Sequence, residues 1–120
     1  MRRLREALRG AYLRLKKQFT RPYATRVVQD ALPKKLKRKT LYVVEDDGFE
    51  EQAAMVCPCG CRAVLHLNLL TDDRPCWRVT RHGDGTATLQ PSVWRRKGCM
   101  SHFWFKRGRI EWCDLSDPRL

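Results

Sequence analysis

The sequence predicts an α+β chain, a small and mostly antiparallel β domain preceded by a basic N-terminal helix. Three observations carry that prediction. Apolar residues recur every three or four positions up to about residue 19, then alternate in short runs after residue 40. Charge changes at the same place: residues 1–40 hold 14 Lys/Arg against two acids, Glu6 and Asp30, whereas residues 41–120 hold 11 of each. A cysteine triplet, Cys57-Pro58-Cys59-Gly60-Cys61, and a Cys-x-x-His step, Cys99-Met100-Ser101-His102, lie some forty residues apart in a 120-residue chain whose core can only be modest. The expected division is a basic helical leader over residues 1–40 and a metal-stapled β domain over residues 41–120.

Taken in order, Leu4, Leu8, Ala11, Tyr12, Leu15 and Phe19 share one helical face over residues 2–19, with Arg2, Arg5, Arg9, Lys16 and Lys17 largely elsewhere. Thr20-Arg21-Pro22 ends this helix, because the residue before proline is steered out of the helical region. A second, short helix is expected over residues 24–32, broken by Pro33. The basic run Lys34-Lys35-Leu36-Lys37-Arg38-Lys39 then leads into the body. Strands are expected over residues 41–44 and 52–56, the first closed by Glu45-Asp46-Asp47-Gly48. Residues 63–70 alternate Val64, His66 and Asn68 against Ala63, Leu65, Leu67 and Leu69, the pattern of a half-buried strand. Two further pairs, 77–81 with 86–89 and 103–105 with 109–112, flank His82-Gly83-Asp84-Gly85 and Lys106-Arg107-Gly108. Asp-Gly tolerates positive φ, so these read as hairpins.

A leader with nearly all of the charge either meets something acidic or stays solvated; nucleic acid is one alternative partner for it. No apolar run is long enough to span a membrane, and none follows Met1-Arg2-Arg3 to form a secretory signal. No membrane partner is expected, and the chain is placed in a reducing cytoplasm. There, clustered cysteines point to metal rather than to disulfides.

A d¹⁰ zinc ion takes four tetrahedral S or N ligands, usually from two clusters distant in sequence, and clustered thiolates repel one another without a cation between them. The candidates are Cys57, Cys59, Cys61, Cys99 and His102. If the four cysteines close the shell, the site is structural and His102 is free for other work. If His102 is a ligand, one cysteine is left over, and spacing does not decide. Cys76 and Cys113 are expected to be packing residues.

Leu89-Gln90-Pro91-Ser92-Val93-Trp94 places a serine after a proline just past an expected strand end, where a nucleophile could be presented or a hydroxyl could satisfy loose backbone. Ser101 is the rival nucleophile. It neighbours His102, and adjacent residues on a strand face opposite ways, so Ser101 and His102 make a poor pair. Ser92 with His102 is the favoured dyad, with backbone N–H groups near Gly98 as oxyanion donors. His66 and His82 have ordinary strand and turn explanations. Trp77, Trp94, Phe103, Trp104, Phe105 and Trp112, interleaved with arginines and lysines, are either core or a nucleic-acid stacking face.

Several blocks together resemble a known family: Leu32-Pro33-Lys34-Lys35-Leu36, Cys57-Pro58-Cys59-Gly60-Cys61, Leu67-Asn68-Leu69-Leu70, Arg74-Pro75-x-Trp77, Asp84-Gly85-Thr86-x-Thr88-Leu89, Pro91-Ser92-Val93-Trp94, Gly98-Cys99-x-Ser101-His102-Phe103 and Gly108-Arg109-Ile110-x-Trp112-Cys113. The resemblance, over roughly residues 32–113, is to a bacterial family encoded beside ubiquitin-like proteins and E1-like and E2-like enzymes in antiphage Bub operons. It implies a zinc-containing, deubiquitinase-like peptidase with a serine nucleophile, acting on a bacterial ubiquitin-like protein. Cys76 departs from the family pattern, and the leader lies outside the matched region. The alternatives are a zinc metallopeptidase with Glu111 as base, and a non-enzymatic zinc-ribbon-like module that binds nucleic acid or docks a ubiquitin-like protein.

Overall fold

Val27 and Val28 belong to the segment expected as a second helix, yet they lie in a strand. In the computed structural model, which describes residues 21–113, Ala24–Gln29 is β1. It runs parallel to β2 (Thr40–Asp46) in unbroken register from Ala24↔Thr40 to Gln29↔Glu45. Three of its six residues, Thr25, Val27 and Val28, are β-branched and stiff at χ1, which favours an extended chain once a strand edge is there to pair with. The α+β prediction is corrected accordingly: the described residues are all-β and hold no helix. The leader helix expected over residues 2–19 lies outside the described residues. No helix among them is long and apolar enough to cross a membrane.

The remaining strands are β3 (Phe49–Val56), β4 (Val64–Asn68), β5 (Arg78–Arg81), β6 (Ala87–Trp94), β7 (His102–Lys106) and β8 (Arg109–Trp112). They form two four-stranded sheets, β1-β2-β3-β4 and β5-β6-β7-β8, antiparallel apart from the β1–β2 pair. The continuous apolar run Leu41-Tyr42-Val43-Val44 is buried on both faces of β2, as a central strand should be. Asp47 and Gly48 both take positive φ in the β2–β3 hairpin, the backbone that a tight turn matched to strand twist requires.

The core is made where the inner faces meet. Leu41, Val43, Met55, Leu65 and Leu67 from the first sheet pack with Leu89, Val93, Phe103 and Phe105 from the second. Backbone also joins the sheets: the Tyr23 N–H donates to the Gly108 carbonyl at 2.7 Å, and the Trp77 N–H to the Asn68 carbonyl at 2.8 Å. The Tyr23 ring meets Phe105 edge-on, with centroids 5.4 Å apart. Gly108 permits this approach, since a Cβ there would lie 2.7 Å from the Tyr23 carbonyl oxygen.

Strand β6 runs further than its alternation suggested. It continues through Gln90-Pro91-Ser92 to Trp94, and its register against β7 shifts between Leu89 and Val93. Four residues of β6 thus span the distance that two residues of β7 cover, from Leu89↔Phe105 to Val93↔Phe103. The surplus forms a bulge, the local distortion that re-aims a side chain beside a strand. Ser92 therefore sits in a bulge within a strand, not on a turn beyond one.

Candidate active site and metal centre

Beyond the bulge, Trp94 lies directly opposite His102. The Arg95 N–H donates to the Ser101 carbonyl at 2.7 Å, so Arg95 and Ser101 form a hydrogen-bonded pair and Trp94 and His102 the closer, non-hydrogen-bonded one. The closeness is used: the indole and imidazole stack with centroids 4.8 Å apart and planes 8° from parallel. Arg96 lies over the same indole, its Cζ 4.5 Å from the ring centroid. The bulged Ser92 brings its Oγ to 2.9 Å from His102 Nε2. Its carbonyl accepts the Trp77 indole N–H at 3.2 Å, which fixes the backbone that carries the hydroxyl. The expected Ser92–His102 pair is thus in hydrogen-bond contact.

Ser101 faces the other way, as strand alternation requires. It is buried, and its Oγ lies 3.1 Å from Cys99 Sγ and 3.5 Å from Cys57 Sγ. It belongs to the cysteine cluster. In that cluster the Sγ atoms of Cys57, Cys59, Cys61 and Cys99 all lie within 4.8 Å of one another. The triplet comes from the end of β3 and the connection to β4, and Cys99 from the connection between β6 and β7, so the cluster bridges the two sheets. Gly60, at φ +93°, turns the triplet back on itself, and the Cys57 N–H donates to the Ala63 carbonyl at 2.8 Å. Cys57 Sγ is 3.4 Å from that of Cys59 and 3.6 Å from that of Cys99. Tetrahedral zinc with bonds of about 2.3 Å sets its sulfurs about 3.8 Å apart, so the donor set fits such an ion. His102 is not part of the cluster.

The electrostatics separate the sulfurs. Burial pushes the Cys57 thiol up to about 11. Hydrogen bonds from the Ser101 hydroxyl and backbone N–H hold Cys99 down at about 5. The Cys61 N–H, aimed at Cys59 Sγ from 3.4 Å, lowers Cys59. Arg95 adds a cation, its Nη1 3.3 Å from Cys61 Sγ and 3.5 Å from Cys99 Sγ. Gly98 lies against that guanidinium, and a Cβ there would be 3.1 Å from Arg95 Nη2. This glycine serves the cysteine corner.

The other candidates have separate roles. His66 bonds Gln52 at 3.3 Å and His82 bonds Thr88 at 2.7 Å. Glu111 pairs with Lys106 at 3.5 Å. Cys76 receives Arg74 Nη1 at 3.2 Å, and the Cys113 N–H donates to the His102 carbonyl at 2.9 Å. Phe103 and Phe105 are core, while Trp94 and Trp112 are about half exposed. Nothing in the spacing signalled three supporting contacts: the Trp94 stack on the imidazole, the Trp77 hold on the Ser92 carbonyl and the Arg95 clamp on the thiolates.

Residues 28–113 match the model of one protein family, BubE, described as bacterial ubiquitination-like system serine protease. The chain belongs to that family. Membership makes it a relative of serine proteases of a ubiquitination-like system, and Ser92 and His102 both lie inside the matched span. Comparison with curated proteins and with solved structures gives no match.

Proposed function

We propose that this protein is a deubiquitinase-like serine peptidase that trims or removes a bacterial ubiquitin-like protein in antiphage defence. It would work in the cytoplasm, beside the E1-like and E2-like enzymes of the same pathway. The observation that carries this reading is the 2.9 Å contact between Ser92 Oγ and His102 Nε2, on a chain of a serine protease family.

The chemistry follows from that contact. His102 Nε2 accepts the Ser92 hydroxyl proton as Oγ attacks the scissile carbonyl carbon, giving a tetrahedral oxyanion. The carbon–nitrogen bond then breaks, the imidazolium proton passes to the leaving amine, and the acyl group remains on Oγ. Water, deprotonated by the same Nε2, releases the acid and restores the hydroxyl. The Trp94 stack restrains the imidazole plane while the proton moves, and Trp77 restrains the Ser92 backbone.

Cys57, Cys59, Cys61 and Cys99 would hold zinc. A closed four-thiolate shell supplies structure rather than a reacting centre, joining the two sheets three residues before His102. The metallopeptidase alternative has less support, because His102 is engaged with Ser92 and Glu111 with Lys106. The test is incubation of the full chain with the partner ubiquitin-like protein carrying a C-terminal extension, followed by intact mass. The expected result is loss of the extension, blocked by a serine-directed fluorophosphonate that adds its mass at Ser92. Cleavage untouched by the fluorophosphonate but stopped by a zinc chelator would move the reaction to the metal.

A further inference from the structure

Strand β5 stops short beside the dyad. It pairs with β6 only from Arg78↔Gln90 to Arg81↔Ala87, while β6 continues to Trp94 with no described strand on that side. Backbone groups alternate in direction along a strand. The Arg95 N–H points to β7, so those of Trp94 point to the opposite, open edge, the side from which Trp77 reaches the Ser92 carbonyl. An open edge of this kind accepts an extended peptide as an added strand.

A groove of about 400 Å³ opens at the same place. Trp77, Trp104, Gln90, Pro91, Arg74 and Arg78 are among the residues that line it. Pro91 precedes the nucleophile, and Trp104 shares the His102 face of β7. The lining contains two guanidinium groups and no carboxylate. Neither arginine is ion-paired with a described residue, and the Arg74 guanidinium is steadied by Cys76 Sγ. Asp72 and Asp73 belong to the same connection but do not line the groove. Two cations, one of them steadied, beside two indoles favour a carboxylate carried on an apolar stem.

We infer that this groove is the substrate subsite, receiving an extended peptide along the open edge of β6 with an acidic side chain between Arg74 and Arg78. The inference rests on Ser92 as nucleophile, and its test separates the two. The probes are fluorescein-labelled octapeptide pools, random except for one position fixed as Glu or as Lys. They are titrated onto full-length Ser92→Ala protein at 150 mM salt, which binds without turnover.

The Glu pools should bind about tenfold more tightly than the Lys pools, which corresponds to about 1.4 kcal/mol. That difference should vanish in the background R74E/R78E. It should persist in K34E/K35E, which changes net charge equally in the basic run. Equal effects of the two reversals would assign the preference to overall charge and overturn the subsite, as would a preference that neither reversal alters. Cleavage of quenched versions of the pools by the unmodified protein reads the dyad separately. Selective binding without Ser92-dependent cleavage keeps the groove and rejects the peptidase. Cleavage with no acidic preference does the reverse.

Discussion

Two serines lie within ten residues of each other, and their substitutions should separate cleanly. Ser92→Ala removes the hydroxyl that contacts His102 Nε2 at 2.9 Å. Losing that one half-buried hydrogen bond costs about 1 kcal/mol, a Tm decrease of about 4–8 °C for a domain of this size. Cleavage should fall by about 10⁴-fold or more, because a dyad without its nucleophile retains little beyond substrate binding. Zinc content should not change, since Ser92 touches no sulfur of the cluster. Ser101→Ala should behave in the opposite way. Its hydroxyl lies 3.1 Å from Cys99 Sγ and 3.5 Å from Cys57 Sγ, so its loss weakens a thiolate shell. Removing such an outer partner lowers metal affinity by about 10–100-fold, while cleavage in excess zinc stays within a few-fold of the parent. The assays are intact mass of the cleaved ubiquitin-like protein, a competition titration against a zinc chelator, and a melt. Cleavage that survives in Ser92→Ala, or that disappears in zinc-loaded Ser101→Ala, would refute the assignment.

Trp94→Ala should lower kcat about tenfold with little change in KM, because it frees the imidazole plane without touching the groove; Trp94→Phe, which can still stack, should restore most of the rate. Metal uptake should depend on pH with a predictable sign. Cys57, pushed up to about 11, carries its proton at neutral pH in metal-free protein, whereas Cys99, held at about 5, has already lost it. Zinc loading at pH 7 should therefore release the Cys57 proton to an indicator dye. A depressed thiol favours the folded cluster above its ordinary range and loses that contribution as pH falls through its lowered value, so zinc retention should collapse as the buffer approaches pH 5.

What the sequence determined by itself was whatever is written in local period and turn chemistry. Leu65 and Leu67 alternate with exposed neighbours, and Asp84-Gly85 and Arg107-Gly108 allow positive φ, so these strands and hairpins were legible. The cysteine set was legible too, because four thiolates gathered without a cation would repel one another. Tertiary structure decided the rest, for reasons of register over distance. Residues 24–29 alternate too weakly to declare a strand, and became one because β2 offered a parallel edge. Which serine meets His102 depended on a bulge measured against β7, and that bulge turned Ser92 toward Nε2 while alternation sent Ser101 to the sulfurs. A one-residue difference in pairing would have exchanged the faces of these side chains, and no local pattern records that pairing.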